Sequence, residues 1–490
     1  MAQPETIELR PTGWETDPDE ERYKVSTIDL TPLEMYNHYV IFWRLEQDTI
    51  EDAIAVLRAG LEKSLSQARH LVSTIEMDSD GGYSFVKRKE TTAKLVIMRY
   101  DSDGDKWPSM DDIQAAHFAQ HSLGDDLGKW GIPHMLWGER PEAELVNTPT
   151  TAAFQINVVR GGIVFSIQSH HYASDVMGFC NFNHQLADNC VAISRGTPFP
   201  AWDPANIDAS RFYRSLPEDK MIDGPPVLPR HPGHGEQEVA LFHLPQSKAA
   251  EIKKLASPTD PKEHWISTYD AMCAFIWRAV NRVRAPLYQP DLASPLWWGC
   301  AVNMRPRLHN PPCPDRMMHN VVAGAFSDTL PVRPMTVGEV ISSDVPLSRL
   351  SGYVRAMTSA CTEEHLEALV DAVAPIRDKR SISLRIDSHP PMSLFITDHR
   401  PGDVSDLDFG FGKPLTYRHM CGDLITPGLI FMYAPIQSAD PDEGCMMTIT
   451  MEKELVPVLC ADPSGVGTLS TEAWIDYVIL RARVRARAEM

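Results

Sequence analysis

A histidine followed four residues later by an aspartate is the first pattern in this chain that could do chemistry. A neutral imidazole can take a proton from a hydroxyl group, and a nearby carboxylate can orient it. With 18 histidines in the chain, about one or two such spacings are expected by chance, yet five are present. The five pairs are His121/Asp125, His171/Asp175, His184/Asp188, His399/Asp403 and His419/Asp423. Spacing alone therefore selects none of them.

The sequence around His171 favours this histidine over the other four. An apolar, β-branched run from Ile163 to Ile167 predicts a buried strand that ends at the two histidines, and apolar residues recur at helical spacing from Val176 onward. His171 is therefore expected at the carboxyl end of a strand, where a rigid element holds a general base at a crevice. On the local sequence alone, the alternative is that His171 is a structural histidine held by hydrogen bonds.

The elements that must position this histidine suggest an α/β fold in two halves. Helical periodicity is clearest at 48–71, from Val176 to Val191 and at 266–284, and a proline-rich stretch separates two regions of alternating strands and helices. We predict a loose acidic N-terminus at 1–22, an N-terminal domain at 23–196, a crossover linker at 197–238 and a C-terminal domain at 239–490. A C-terminal helix at 471–490 would carry four arginines on a solvated end.

Composition restricts the partners and the compartment. A net charge of -20 disfavours nucleic acid and anionic membranes as partners, because its field repels phosphate. Nine scattered cysteines without CxxC spacing indicate reduced thiols, and the absence of a signal segment or of a run of ~18 apolar residues predicts a cytoplasmic protein without a membrane span. His117 and His121 have metal-ligand spacing but no third ligand, so no metal is expected. Motifs of serine hydrolases, P-loop enzymes and dinucleotide enzymes are not found.

A second motif, DFGFGKP, runs from Asp408 to Pro414 and, in isolation, would be a tight structural turn. Together, HHYASDVMG and DFGFGKP resemble the HxxxD and DFGWG signatures of the BAHD acyltransferases, which move acyl groups from coenzyme A to alcohols or amines. Further segments resemble that family in the same order: ISTYDAMCAFIWRAVNRVR, VNMRPRL, MMHNVV and ITDHRPGDVSDLDFGFGKP. The form HHxxxDxxG is most similar to the fungal trichothecene 3-O-acetyltransferase type.

The resemblance implies two similar chloramphenicol-acetyltransferase-like α/β domains with mixed sheets and an active-site channel between them. His171 matches the catalytic general base, which would act in a ternary complex without an acyl-enzyme. Asp175 matches a structural aspartate, for which Arg305 is the candidate ion-pair partner, and Gly178 would allow a helix and a strand to approach closely.

Further site residues follow from the same resemblance. Thr397, His399 and Asn320 are candidates for contact with the oxyanion or the acceptor, with His399 standing where the family has tryptophan. A loop that shapes the channel and the donor site would comprise Asp408, Phe409, Gly410, Phe411 and Gly412, with Phe411 replacing a tryptophan. Candidates for binding the CoA phosphates are Lys253, Lys254, Arg305 and Arg307.

The implied partners are acetyl-CoA or another acyl-CoA as co-substrate and a small-molecule alcohol or amine, with no bound cofactor. The acidic composition and the fungal-like motif favour a neutral or cationic secondary metabolite as acceptor, and a monomer is expected by resemblance. Two alternatives stay open: a condensation-type enzyme that takes its acyl group from a carrier protein, and a catalytically silent homologue that only binds.

Overall fold

The computed structural model describes residues 4–102, 104, 106–260, 265–422 and 424–461. The predicted C-terminal helix at 471–490, with its arginines, lies outside the described residues. The strands are β1 (Glu5–Leu9), β2 (Glu20–Lys24), β3 (Met35–Arg44), β4 (Thr74–Met77), β5 (Tyr83–Arg88), β6 (Ala93–Tyr100), β7 (Gly138–Glu139), β8 (Ala152–Val159), β9 (Gly162–His170), β10 (Gln237–Leu244), β11 (Trp298–Asn303), β12 (Val322–Phe326), β13 (Leu394–Asp398), β14 (Thr416–His419), β15 (Leu429–Tyr433) and β16 (Cys445–Glu452). The α-helices are α1 (Ile50–Leu65), α2 (Met110–Ala115), α3 (Val176–Arg195), α4 (Gln246–Ala256), α5 (Thr268–Tyr288), α6 (Val337–Ile341), α7 (Leu347–Ala360), α8 (Glu363–Val373) and α9 (Val456–Ala461).

The first sheet is mixed, in the order β1-β6-β8-β9-β3-β14, with β7 paired to β3. β8 and β9 are buried along their whole length, because helices α1 and α3 cover one face and a smaller apolar cluster covers the other. β6 and β8 run parallel, and the other pairs run antiparallel. The second sheet, in the order β10-β16-β15-β13-β11-β12, is also mixed and packs one face against α4, α5 and α7. The α/β class expected from the sequence is confirmed.

The N-terminal segment is more ordered than the sequence suggested. Where a loose lead-in was predicted, β1 adds an edge to the first sheet and β2 begins a separate sheet, β2-β5-β4. The fully buried Lys87 donates to Asp17 at 2.6 Å. Asp17, one of the acidic residues of the predicted loose N-terminus, therefore neutralises a buried cation.

One strand of the second half joins the sheet of the first half. β14 belongs by sequence to the second half, but it pairs antiparallel with β3 of the first sheet, with Tyr39 opposite His419. The fully described stretch 197–236 contains neither strand nor α-helix, in keeping with a crossover. The boundaries proposed from the sequence therefore do not separate the two sheets.

Most helices predicted from periodicity are present, with shifted ends. Helix α1 ends at Leu65 rather than at 71, and the stretch 347–373 forms two helices, α7 and α8, separated at Cys361 and Thr362. All nine cysteines are free. Within the described ranges, no group of histidine, cysteine, aspartate or glutamate side chains could hold a metal ion, and no helix there is long and apolar enough to cross a membrane.

Candidate active site

His171 lies in the turn between β9 and α3. Its amide donates to the carbonyl of Met35 at 2.8 Å, so the main chain of His171 extends the pairing of β9 with β3 by one residue. Helix α3 begins at Val176, after Asp175 accepts a hydrogen bond from the amide of Gly178 as its N-cap. A strand and a capped helix therefore hold the histidine from both sides.

The two adjacent histidines have different surroundings. His170 is fully buried, with Nε2 2.9 Å from the carbonyl of Ala143 and Nδ1 accepting from the amide of Tyr172, and burial lowers its pKa to about 3. His171 is partly buried, and its Nδ1 is enclosed without a hydrogen-bond partner in the described part of the chain. Burial lowers the pKa of His171 by more than its own main-chain carbonyl and Asp175 raise it. His171 is therefore a neutral base whose ring can still accept a proton, whereas His170 is structural.

Asp175 is fully engaged away from the His171 ring. Its carboxylate binds the Arg305 guanidinium through two contacts of 2.9 Å, and it accepts from the amides of Gly178 at 2.7 Å and Val321 at 2.9 Å. Both partners of this ion pair are about 90% buried. The contact implied by the resemblance is present, and it joins α3 of the first half to the segment before β12 in the second half. Arg305 also donates to the carbonyls of Met317 and His319, and these contacts do not support a role at a CoA phosphate.

Gly178 allows a close crossing at the start of α3. A Cβ atom at this position would lie 2.0 Å from the carbonyl oxygen of Met318, which is backbone and cannot rotate away. The close neighbour is thus the segment before β12 rather than a strand itself, and any larger residue would push the two halves apart beside Asp175.

Asn320 has a different place from the one expected. Its Nδ2 donates to the carbonyls of His171 at 2.9 Å and Tyr172 at 3.3 Å and to Asp29 Oδ1 at 3.0 Å, so its donors are already in use. Among the described residues only its carbonyl oxygen is left without a partner, so these contacts do not support the predicted contact of Asn320 with an oxyanion or the acceptor. Burial would raise the pKa of Asp29, but His319 and Asn320 hold it below its usual range, so a buried carboxylate anchors the amide that fixes the His171 main chain.

Thr397 and His399 approach from the second sheet. Residues alternate along β13, so Phe395, Thr397 and His399 share the face that joins the core of the first sheet. Burial lowers the pKa of His399 to about 4, and no described residue is a hydrogen-bond partner of its Nδ1. The Thr397 hydroxyl makes no hydrogen bond to the described residues. A free hydroxyl and a neutral imidazole, both able to donate a hydrogen bond, are therefore available on this face.

Two polar residues of the same region, Asn37 and His419, were not expected here: Asn37 belongs to no motif, and His419 is one of the five His-x-x-x-Asp histidines that spacing alone does not select. Asn37 Oδ1 lies 3.3 Å from His419 Nε2, and both side chains are almost fully buried. Aromatic rings surround them; within 6.5 Å of the His419 ring lie those of Tyr39, Trp137, His399 and Phe431. Only the strand pairing that brings β14 beside β3 could have identified them.

The DFGFGKP loop packs against the end of α3 and leads into β14, which joins the first sheet. Gly410 has a φ of 80°, and a Cβ there would lie 2.7 Å from the Ser194 side chain, so glycine is required. The Ser194 hydroxyl donates to the carbonyl of Gly410, and Asp408 pairs with Arg195 at 2.8 Å. Phe409 and Phe411 lie with ring centroids 5.0 and 5.8 Å from that of Trp43 in β3. The motif thus anchors the strand that carries His419.

The residues expected to bind CoA phosphates lie in the second half. Lys253 and Lys254 are in the last turn of α4, and Lys253 lies 5.8 Å above the exposed ring of Trp265, which Arg355 also covers at 4.7 Å. Arg307 donates through Nη1 to the carbonyls of Thr358 and Cys361 at the end of α7. Arg307 therefore caps a helix, and its contacts do not support a role at a phosphate.

Comparison with known protein families gives two matches. The model of the Transferase family matches residues 146–460, and that of the trichothecene 3-O-acetyltransferase-like N-terminal domain matches residues 35–190. Acetyltransferase FGR3 of Gibberella zeae is 46% identical over 94% of this chain and 93% of its own length. Trichothecene 3-O-acetyltransferase TRI101 of Fusarium sporotrichioides is 25% identical over 86% of this chain and 89% of its own length.

Solved structures share the fold. TRI101 of F. graminearum in complex with ethyl coenzyme A has a TM-score of 0.73 at 18% identity, covering 94% of this chain and 99% of that one. The same enzyme has also been solved with coenzyme A and deoxynivalenol. Vinorine synthase has a TM-score of 0.65 at 19% identity, covering 96% of this chain and 100% of that one. The architecture of two joined mixed sheets is therefore shared across relatives of low identity.

Proposed function

The chain belongs to the Transferase family of BAHD-type acyltransferases, and on that premise we propose that it transfers the acetyl group of acetyl-CoA to a hydroxyl group of a small secondary metabolite. The observation that carries the proposal is His171, a partly buried neutral imidazole at the junction of the two sheets, beside a carboxylate that is occupied elsewhere. Acyl-CoA-dependent acyltransfer needs such a base and no bound cofactor.

In the proposed mechanism, His171 acts on the acceptor hydroxyl within a ternary complex. We assign proton uptake to Nε2, because Nδ1 is enclosed. As His171 takes the proton, the acceptor oxygen attacks the thioester carbonyl and forms a tetrahedral intermediate. The intermediate collapses, the C–S bond breaks, and the protonated His171 returns the proton to the CoA thiolate.

Thr397 and His399 are the proposed donors to the oxyanion. Both lie on the face of β13 toward the first sheet, and both have a donor that no described residue occupies. A neutral histidine can stabilise an oxyanion through a hydrogen bond without delivering its proton, and the loss of one such donor typically costs ~10²–10³ in rate. For the CoA phosphates we propose Lys253 and Lys254, at the end of α4. The free thiols favour a cytoplasmic location, and family resemblance favours a monomer.

The test is thiol release from acetyl-CoA with a panel of hydroxylated terpenoids, polyketides and alkaloids, deoxynivalenol included. We expect release to require an acceptor and to fall by about 10²–10⁴ in His171→Ala. His184→Ala is the matched control, because this half-buried α3 histidine also belongs to a His-x-x-x-Asp pair but contacts Asp403 at 2.7 Å. Equal activity in wild type and His171→Ala would refute the assignment, and release only from a carrier-protein thioester would point to a condensation-type enzyme.

A further inference from the structure

Asn37 and His419 form a polar pair that the proposed chemistry does not use. Resting on the proposed function, we infer that this pair recognises a second hydroxyl group of the acceptor, at a fixed distance from the hydroxyl that is acylated. The acceptor is then a neutral molecule with at least two hydroxyl groups rather than a simple alcohol.

Strand register places the pair beside His171. His171 continues β9 opposite Met35, and Asn37 lies two residues farther along β3, so their side chains share one face of the sheet. Diagonal neighbours of this kind have Cβ atoms about 7 Å apart. His419 lies on the other side of β3, opposite Tyr39, and so also shares that face. One face therefore presents His171, Asn37 and His419 in a row.

Both members of the pair have hydrogen-bonding capacity that the protein leaves unused. Asn37 Nδ2 and His419 Nδ1 are buried atoms without a partner among the residues that the structure describes, and the side chains are 2% and 4% exposed. Buried polar atoms are nearly always paired, so two unpaired atoms on adjacent side chains indicate a missing partner. If His419 donates through Nε2 to Asn37, its Nδ1 accepts while Asn37 Nδ2 donates. A hydroxyl group can satisfy both kinds of atom.

The surroundings favour a neutral group in this position. Burial, with His399 as the next contribution, lowers the pKa of His419 well below its ordinary value, so its imidazole is neutral at physiological pH. The aromatic rings of Tyr39, Trp137 and Phe431 pack around His419. Aromatic surroundings accommodate an apolar carbon skeleton and provide no counter-ion for a charged substituent.

The experiment compares trans-1,4-cyclohexanediol with cyclohexanol as acceptors of acetyl-CoA, because the second hydroxyl of the diol lies at the far end of the same ring. The readout is the ratio of kcat/KM values, counted per hydroxyl group. We expect wild type to favour the diol by at least about tenfold, and Asn37→Leu and His419→Phe to bring the ratio close to one. The control is Asn157→Leu, since Asn157 is a buried asparagine whose amide is satisfied by the carbonyls of Trp130 and Val164. A ratio does not depend on the fraction of folded enzyme, so we expect this control to keep the wild-type ratio.

Saturation-transfer NMR of the two compounds separates failure of this inference from failure of the proposed function. If thiol is released but Asn37→Leu keeps the preference for the diol, the inference is wrong and the acyltransferase stands. If no thiol is released but the diol binds wild type and not Asn37→Leu, the recognition site stands and the proposed reaction does not. An absence of preference for the diol in both turnover and binding overturns the inference.

Discussion

Replacing Asp175 by alanine separates a structural role from a catalytic one. The substitution removes two charge-assisted hydrogen bonds of 2.9 Å to Arg305, together with the bonds to the amides of Gly178 and Val321. Leaving a buried guanidinium unpaired costs about 3–5 kcal/mol, and losing a helix N-cap costs about 1 kcal/mol. We therefore expect the free energy of unfolding to fall by about 4–6 kcal/mol, a large part of the ~5–15 kcal/mol typical of folded proteins.

His171→Ala should behave in the opposite way. Nδ1 of His171 has no hydrogen-bond partner among the described residues and the side chain is only partly buried, so we expect its loss to change the free energy of unfolding by about 1 kcal/mol or less while turnover falls. Both quantities are accessible, by urea unfolding followed through tryptophan fluorescence and by thiol release from acetyl-CoA.

Two further variants sharpen the measurement. Asp188→Ala removes a carboxylate from the same helix, but its partner Arg316 is 31% exposed, so we expect a loss below about 1 kcal/mol. Asp175→Ala combined with Arg305→Met removes both charges and should recover part of the stability lost in the single variant. The reasoning is refuted if Asp175→Ala is as stable as Asp188→Ala, or if it folds normally and still loses turnover as His171→Ala does.

Three other predictions follow from pKa values and close contacts. Because burial lowers the pKa of His171, the acid limb of kcat/KM should fall below pH 6.5; an inflection above that value in a profile of thiol release would contradict this. The pKa values of His38 and His170 are lowered to about 3, so below pH 6.5 the unfolded chain binds protons that the folded chain does not. Stability should therefore decline as pH falls, by about 2 kcal/mol per histidine between pH 7 and 5, and His170→Gln should show a shallower decline in urea unfolding. Gly178→Ala should lose about 1–3 kcal/mol through contact with the Met318 carbonyl, and an unchanged unfolding midpoint would show that the two segments separate freely.

The sequence could predict His171 because its information is local. A β-branched run, a histidine, a capping aspartate and a helical pattern follow one another within about twenty residues, and each has a physical signature. The same holds for the helices, whose periodicity appears within a few turns. The Asp175–Arg305 pair spans 130 residues and came only from the family resemblance.

What the sequence could not predict depends on pairing between distant strands. His419 belongs to one of five His-x-x-x-Asp pairs that spacing alone does not distinguish, and Asn37 has no motif at all; the two meet through the register of β14 with β3. Asn320 was expected in the acceptor site because its segment matched the family, but an amide can turn its donors either toward a ligand or toward main-chain carbonyls. A linear sequence does not show which of these the amide will contact.

Because β14 of the second half completes the first sheet, the chain is not expected to divide into two halves that fold independently. A fragment ending in the proline-rich stretch before β10 would lack β14. The part of β3 from Tyr39 to Phe42 would then present an open edge of unpaired amides and carbonyls, while β7 would still pair with Met35 and Tyr36. Such edges recruit strands from other molecules, so an isolated N-terminal half is expected to aggregate during expression. Supplying the missing half in trans would be expected to rescue solubility only if it contained the short segment Thr416–His419. Recombination between relatives at the central linker would likewise pair a β3 from one parent with a β14 from the other, so compatible crossovers must preserve that pairing.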